Sequence, residues 1–158
     1  MASTLKVNEI QHTGGTSALS VNSSGVVNLP QAIAFMAQKT DATTHTAGGN
    51  ITFNSTITAH SGWNGTTFTC PVAGKYRFHM SAHMQSMSNS AYQIGIAKGG
   101  TVVIVAYAYN STATRERNSC EAIISCNAGD AITFRLIEGD VYAGTGNSGV
   151  YCTGYLIG

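Results

Sequence analysis

Between residues 76 and 85 the chain alternates without a break. Tyr76, Phe78, Met80, Ala82 and Met84 are interleaved with Arg77, His79, Ser81, His83 and Gln85. Only an extended strand sends successive side chains to opposite faces, so this run requires a second layer over its apolar side. Ala122, Ile124 and Cys126 alternate with Glu121, Ile123 and Ser125 in the same way. Residues 131–137 and 150–157 are further strands by their β-branched and aromatic content. Lys98-Gly99-Gly100 separates residues 92–97 from residues 101–109, which is the punctuation of a hairpin. Helical spacing with caps is not found. Many short strands between glycine-marked turns predict an all-β antiparallel sandwich or barrel.

Charge narrows the possibilities further. Eight Lys or Arg and seven Asp or Glu make 9% of the chain charged, against about 25% in an ordinary domain. Hydrophobic residues stand at 43%, so Gly, Ser, Thr and Asn fill the deficit. A disordered chain pairs low hydrophobicity with high net charge, and a coiled coil needs charged flanks. Neither fits. A net charge of +1 offers no electrostatic footprint for nucleic acid or an anionic membrane. No stretch reaches the ~20 apolar residues of a membrane span. The start, Met1-Ala2-Ser3-Thr4-Leu5-Lys6-Val7, lacks the apolar centre of a signal peptide. The expectation is folding in a reducing cytoplasm, with Cys70, Cys120, Cys126 and Cys152 as small buried residues. They form no CxxC pair, so zinc is not expected.

The first thirty residues read differently. Leu5, Val7 and Ile10, then Leu19 and Val21, then Val27 and Leu29 are separated by Gly/Ser turns. Short strands of this kind cannot bury an apolar face alone. Two readings follow: an edge pair packed on the main domain, or self-association with sister chains. The polar stretch of residues 40–50 separates the segment from the main sheet and favours the second.

From Ala34 onward the sequence resembles the globular head of the C1q and tumour necrosis factor-like superfamily. Ala34-Phe35-Met36-Ala37 is similar to its opening strand. Phe68, five residues, then Gly74-Lys75-Tyr76-Arg77-Phe78 resembles its central motif. Asn127-Ala128-Gly129-Asp130 resembles its Gly-Asp turn, and Gly154-Tyr155-Leu156-Ile157 its closing strand. The resemblance implies a ten-stranded jelly roll over residues 32–158 that associates as a homotrimer. It places Tyr76, Phe78, Met80, His79, His83 and Tyr155 in the core or the trimer interface. Within that motif Pro71 suits a strand end and Gly74 a backbone turn.

Ser3-Thr4-Leu5-Lys6-Val7-Asn8-Glu9-Ile10-Gln11, with Leu19, Val21, Gly25 and Val27, is similar to the openings of bacteriophage tail-fibre and virion proteins. That second resemblance implies a β docking or shaft segment over residues 1–31, trimeric like the head. Residues 5–29 would contact other virion proteins.

No catalytic constellation is visible. There is no Gly-x-Ser-x-Gly elbow and no HExxH, and the Gly-rich run of residues 143–149 lacks the Lys of a phosphate loop. His79 and His83 share a strand face about 13 Å apart, too far to hold one ion together. On a three-fold axis, three copies of one of them could meet. Arg115-Glu116-Arg117 is the densest charge cluster, read as part of a loop over residues 110–119 that could contact a ligand. Trp63, flanked by Gly62 and Gly65, could stack on a sugar from an exposed loop or plug the end of the sandwich. Asp130, Asp140 and Glu138 make no dense acidic set, so neither metal nor cofactor is expected.

The expectation is therefore a non-enzymatic bacteriophage virion protein, assembled in the host cytoplasm. Its head would be displayed for attachment to a host surface glycan or protein, or for capsid decoration. The alternative is a soluble bacterial C1q-like module that binds carbohydrate or protein. Low charge agrees with a trimer, because interface cores are depleted of Lys and Glu.

Overall fold

A computed structural model of the chain describes residues 7–29, 31–41, 45–85, 90–110, 115–141 and 149–158. The chain divides into two compact units, Met1–Ile33 and Ala34–Gly158.

The first unit is one antiparallel sheet. Its strands are β1 (Glu9–Gln11), β2 (Ser17–Val21) and β3 (Val27–Asn28), in the order β1-β2-β3. The second turn is held by Asn22, whose side-chain oxygen accepts from the backbone N–H of Ser24 at 3.0 Å and of Val26 at 2.9 Å. Such an Asx turn fixes the reversal with one residue. Ile10, Val26, Val27 and Leu29 remain exposed.

The second unit is a two-layer sandwich. Its strands are β4 (Ala34–Lys39), β5 (His45–Thr46), β6 (Gly49–Asn50), β7 (Ser55–Ala59), β8 (Thr67–Thr69) and β9 (Gly74–Gln85). There follow β10 (Ser90–Lys98), β11 (Thr101–Asn110), β12 (Arg115–Cys126), β13 (Ala131–Glu138), β14 (Asp140–Val141) and β15 (Val150–Leu156). One sheet runs β11-β10-β13-β6, with β8 also on β13. The other runs β5-β14-β9-β15-β4-β7, with β12 on the free side of β9. All pairings are antiparallel, and no helix occurs among the described residues. The expected jelly roll is present. Among the described residues it has twelve strand segments; without the two-residue ladders β5, β6 and β14 at its margin, nine longer strands remain.

The alternating run of residues 76–85 is β9, the longest strand together with β12. Tyr76, Phe78, Met80, Ala82 and Met84 all point inward and are fully buried. Phe35 of β4 stacks on Trp63 with ring centroids 4.6 Å apart, and on Phe68 at 4.7 Å. Tyr76 stacks on Phe78 at 5.8 Å. Burial of each such ring is worth about 1.5–3 kcal/mol. The rings can meet because Gly154 of β15 has no side chain. A Cβ there would run into the Phe35 ring and lie 2.6 Å from Cδ1 of Phe78.

The β10–β11 hairpin turns on Gly99 and Gly100, with φ of 57° and 85°. Two consecutive positive values are what a two-residue hairpin loop of right-handed strands requires. Gly74 differs from expectation. It makes no left-handed turn; a Cβ there would press on the Leu156 Cδ1 methyl at 2.7 Å and lie 3.2 Å from the Gly158 carbonyl oxygen, so the small residue serves close approach of the closing strand.

Candidate binding face

The outward face of β9 carries the polar half of the alternation. Arg77, His79, Ser81 and His83 stand in a row along it. On β12 the residues opposite them are Ile123, Glu121, Ser119 and Arg117. On β15, Tyr155, Thr153 and Tyr151 oppose Arg77, His79 and Ser81. A continuous three-strand surface results, with β4 extending it.

Its polar groups are mostly paired with each other. The Arg77 guanidinium pairs with the Glu121 carboxylate and donates to the Tyr155 hydroxyl at 2.9 Å. The Arg77 hydrogen bond pulls the Glu121 carboxyl below its usual range. The His79 ring lies 5.5 Å from that of Tyr151. Burial lowers the His79 pKa; Glu121 opposes and Arg77 reinforces that shift, so the imidazole is neutral at pH 7. Two features are left over. Ser81 is 2% exposed and its hydroxyl has no hydrogen-bond partner among the described residues. Ile123, in the middle of β12, is 64% exposed.

A second surface lies on β11, the edge of the other sheet. Val103, Val105, Tyr107 and Tyr109 alternate outward and are all exposed, Tyr107 at 62%. No residue of β11 is charged. Edge strands are ordinarily blunted by Lys, Pro or bulges that twist the edge away. β11 has a register shift opposite Ile96 and Ala97, but its remaining length is regular and apolar. Sequence reasoning did not single out these residues. The available signal was ten residues without charge, apolar on both faces.

The candidate residues named from the sequence separate into three groups. Tyr76, Phe78 and Met80 are core, while His79, His83 and Tyr155 lie on the outward face of β9 and β15. Arg115, Glu116 and Arg117 do not sit in a loop. They open β12 opposite Gln85, Met84 and His83, because the alternation that defines β12 continues past Ser119. Glu116 and Arg117 are exposed, and the Arg117 guanidinium packs over Gly149. The Arg115 side chain and residues 111–114 lie outside the described residues, as does most of the Gly-rich run of residues 143–149.

Trp63 is not an exposed stacking platform. It is 9% exposed, with its ring flat against Phe35. The turn after His60 and the bridge to Phe68 swing the indole inward, where apolar burial outweighs an indole N–H left without an acceptor. Glu138 accepts from Gln93 at 2.7 Å and Asp130 pairs with Lys98 at 2.8 Å, so these carboxylates serve separate local contacts. Among the described residues no group of three His, Cys, Asp or Glu could hold a metal ion.

Residues 34–157 match the family model of the C1q domain. The chain belongs to the C1q domain family. Solved structures share the fold at low identity. The globular domain of zebrafish complement 1qA is 18% identical, covering 80% of this chain and 98% of its own, with a TM-score of 0.64. Eiger TNF from S. frugiperda is 10% identical over 80% of this chain and 93% of its own, with a TM-score of 0.67. Murine APRIL is 8% identical over 80% of this chain and 100% of its own, with a TM-score of 0.66.

Within this C1q domain the polar face of β9 and the apolar edge β11 belong to different sheets. One presents an organised ion pair and an imidazole, the other a row of exposed Val and Tyr side chains.

Proposed function

We propose that this chain is a homotrimeric C1q-domain module of a bacteriophage particle, non-enzymatic, displayed for host-surface attachment or capsid decoration. The observation that carries the trimer is the uncharged row Val103, Val105, Tyr107 and Tyr109 on an edge strand. An exposed apolar edge of this length is a site for another chain. The complementary surface is the outward face of β9, β12 and β15 with exposed Ile123 and Tyr155. Unlike patches pair head to tail, and a closed ring of three leaves neither uncovered. The virion role rests on the resemblance of residues 3–27 to phage tail-fibre and virion openings. Residues 1–31 act as the docking segment and residues 32–158 as the head.

An apolar hollow of about 350 Å³ in the N-terminal unit, lined by His12, Ala18, Leu29 and Ala32 among others, supports docking there. Its partner is a virion protein or a sister segment.

Light scattering of the full chain is expected to report three protomers that resist dilution. Tyr107→Glu should lower that mass while the protein stays folded by circular dichroism. A monomeric wild-type chain would remove the trimer. Electron microscopy of antibody-labelled particles tests the role separately: label on tail or capsid supports it, and label confined to lysate protein favours the soluble binding module.

A further inference from the structure

The four cysteines are all buried and reduced, and they are not equivalent. Cys120 on β12 and Cys152 on β15 both face Met80 of β9, one from each side. Two strand spacings, about 9.5 Å, therefore separate their backbones, beyond the ~7 Å that a disulfide can span. Cys70 and Cys126 form a pair. The Cys70 backbone is bonded to Gly129 and Asp130, which close the turn directly after Cys126, so the two thiols stand at one junction and each affects the ionisation of the other; the Cys126 thiol also donates to the Ile124 carbonyl oxygen at 3.8 Å.

The backbone around the pair is tightly held. The Cys70 N–H donates to the Asp130 carbonyl at 2.9 Å, and the Gly129 N–H donates to the Cys70 carbonyl at 2.8 Å. Gly129, with φ of 87°, and the bond from Asp130 N–H to the Asn127 carbonyl at 3.1 Å close the turn that follows Cys126. Asp130 is pinned to Lys98, whose ammonium also donates to the Ser125 carbonyl at 2.8 Å. Cys70 follows β8 of one sheet and Cys126 ends β12 of the other. The pair thus stands where the two layers of the sandwich meet.

We infer that Cys70 and Cys126 form an intrachain disulfide that joins the two sheets when the chain folds in the presence of a disulfide oxidant such as glutathione disulfide. The Cys126 thiol gives up its proton and attacks one glutathione sulfur. The released glutathione thiolate takes a proton. The Cys70 thiol then loses its proton and attacks the Cys126 sulfur of the mixed disulfide, expelling the second glutathione. Two protein thiols are oxidised by two electrons, and one glutathione disulfide is reduced to two glutathione thiols. In the finished fold the exchange is slow. Burial pushes the Cys70 thiol up to about 12 and raises Cys126 as well, and only a thiolate attacks. The crosslink forms before the core closes, or when the exposed segment of residues 71–73 opens. It therefore works as a lock acquired once and kept, not as a fast sensor.

The test refolds the full chain from reducing denaturant into a glutathione redox buffer. Intact mass under denaturing conditions should be lower by two hydrogen atoms, and peptide mapping should join Cys70 to Cys126. Cys120 and Cys152 should remain as titratable thiols. The oxidised protein should melt about 10 °C higher than the reduced one, a span set by the long loop that the bond closes. Cys70→Ala should abolish both the mass change and the melting difference, whereas Cys152→Ala should keep both. Four free thiols after oxidative refolding, or a mapped bridge that includes Cys120 or Cys152, would overturn the inference. Because each outcome is read on one chain's own thiols, none depends on the oligomeric state or on the particle.

Discussion

The two units are written in the same vocabulary of short strands and Gly/Asn turns, yet they solve the burial problem in opposite ways. In Met1–Ile33 a single sheet has apolar side chains on its strands and no second layer of its own; Ile10, Val27 and Leu29 stay in solvent. In Ala34–Gly158 two sheets face each other, and Phe35, Phe68, Tyr76, Phe78 and Phe134 disappear from solvent completely or nearly so. Alternation is thus necessary for a strand and insufficient for stability. A sheet gains free energy only when something covers its apolar side.

The largest test of this contrast is Phe35→Ala, which removes the ring stacked between Trp63 and Phe68. It should cost about 3–5 kcal/mol in urea unfolding. Val27→Ala in the N-terminal sheet should cost less than about 0.5 kcal/mol in the same assay. Equal losses would mean that Val27 is covered as fully as Phe35, and the contrast would fail.

Next in size is Gly154→Val. Its side chain enters space held by the Phe35 and Phe78 rings, and overpacking of that kind costs about 1–3 kcal/mol. A lower thermal midpoint without loss of strand signal is expected. An unchanged midpoint would show that the rings can move aside.

Deleting residues 1–31 sharpens the comparison from the other side. The remaining C1q domain should unfold in one cooperative transition and keep its strand spectrum. If it fails to fold, the N-terminal sheet is a covering layer and not an independent docking segment.

The smallest effect is that of pH. Burial holds the folded-state pKa of His79 below its ordinary value. The unfolded chain therefore binds this proton more readily, and the His79 contribution is fully present above the ordinary histidine pKa of about 6.5. It is lost as pH falls through the lower folded value. Glu121 adds a loss of the same sign at more acidic pH, as Arg77 loses its carboxylate partner. A shallow decline in stability from pH 7 to pH 5 should be reduced in His79→Gln. A decline of the same slope in that variant would assign it to other groups.

Much of the sandwich was legible because it depends on period and spacing. The strand of residues 76–85, the Gly99-Gly100 hairpin and the motif from Phe68 to Phe78 all have local causes, and all occur where expected. Arg117 and Gly74 were misread because their settings are non-local, and of the two readings of Trp63 the plug of the sandwich is the one that holds, for an equally non-local reason. The indole is drawn in by Phe35, 28 residues away by residue number. Arg117 belongs to a strand whose partner is β9, and Gly74 serves the closing strand. The row on β11 was overlooked because an uncharged strand looks the same whether it is central or at an edge. Lys39 is the opposite case: it continues the inward alternation of Phe35 and Ala37 on β4 and is buried at 1% exposure beside Asp41, two residues on.

By itself, then, the sequence determined that this protein is all-β, that β9 has one buried and one polar side, and that residues from Ala34 onward carry a C1q pattern. Side-chain alternation and turn chemistry are properties of a few adjacent residues, and they hold wherever the strand ends up. The tertiary structure alone decided which strands are edges, which aromatic rings meet over Gly154, and which two of four cysteines stand at one junction of the sheets. Those outcomes depend on the pairing of strands distant in the chain, and pairing is chosen by the burial of whole faces and not by any local run.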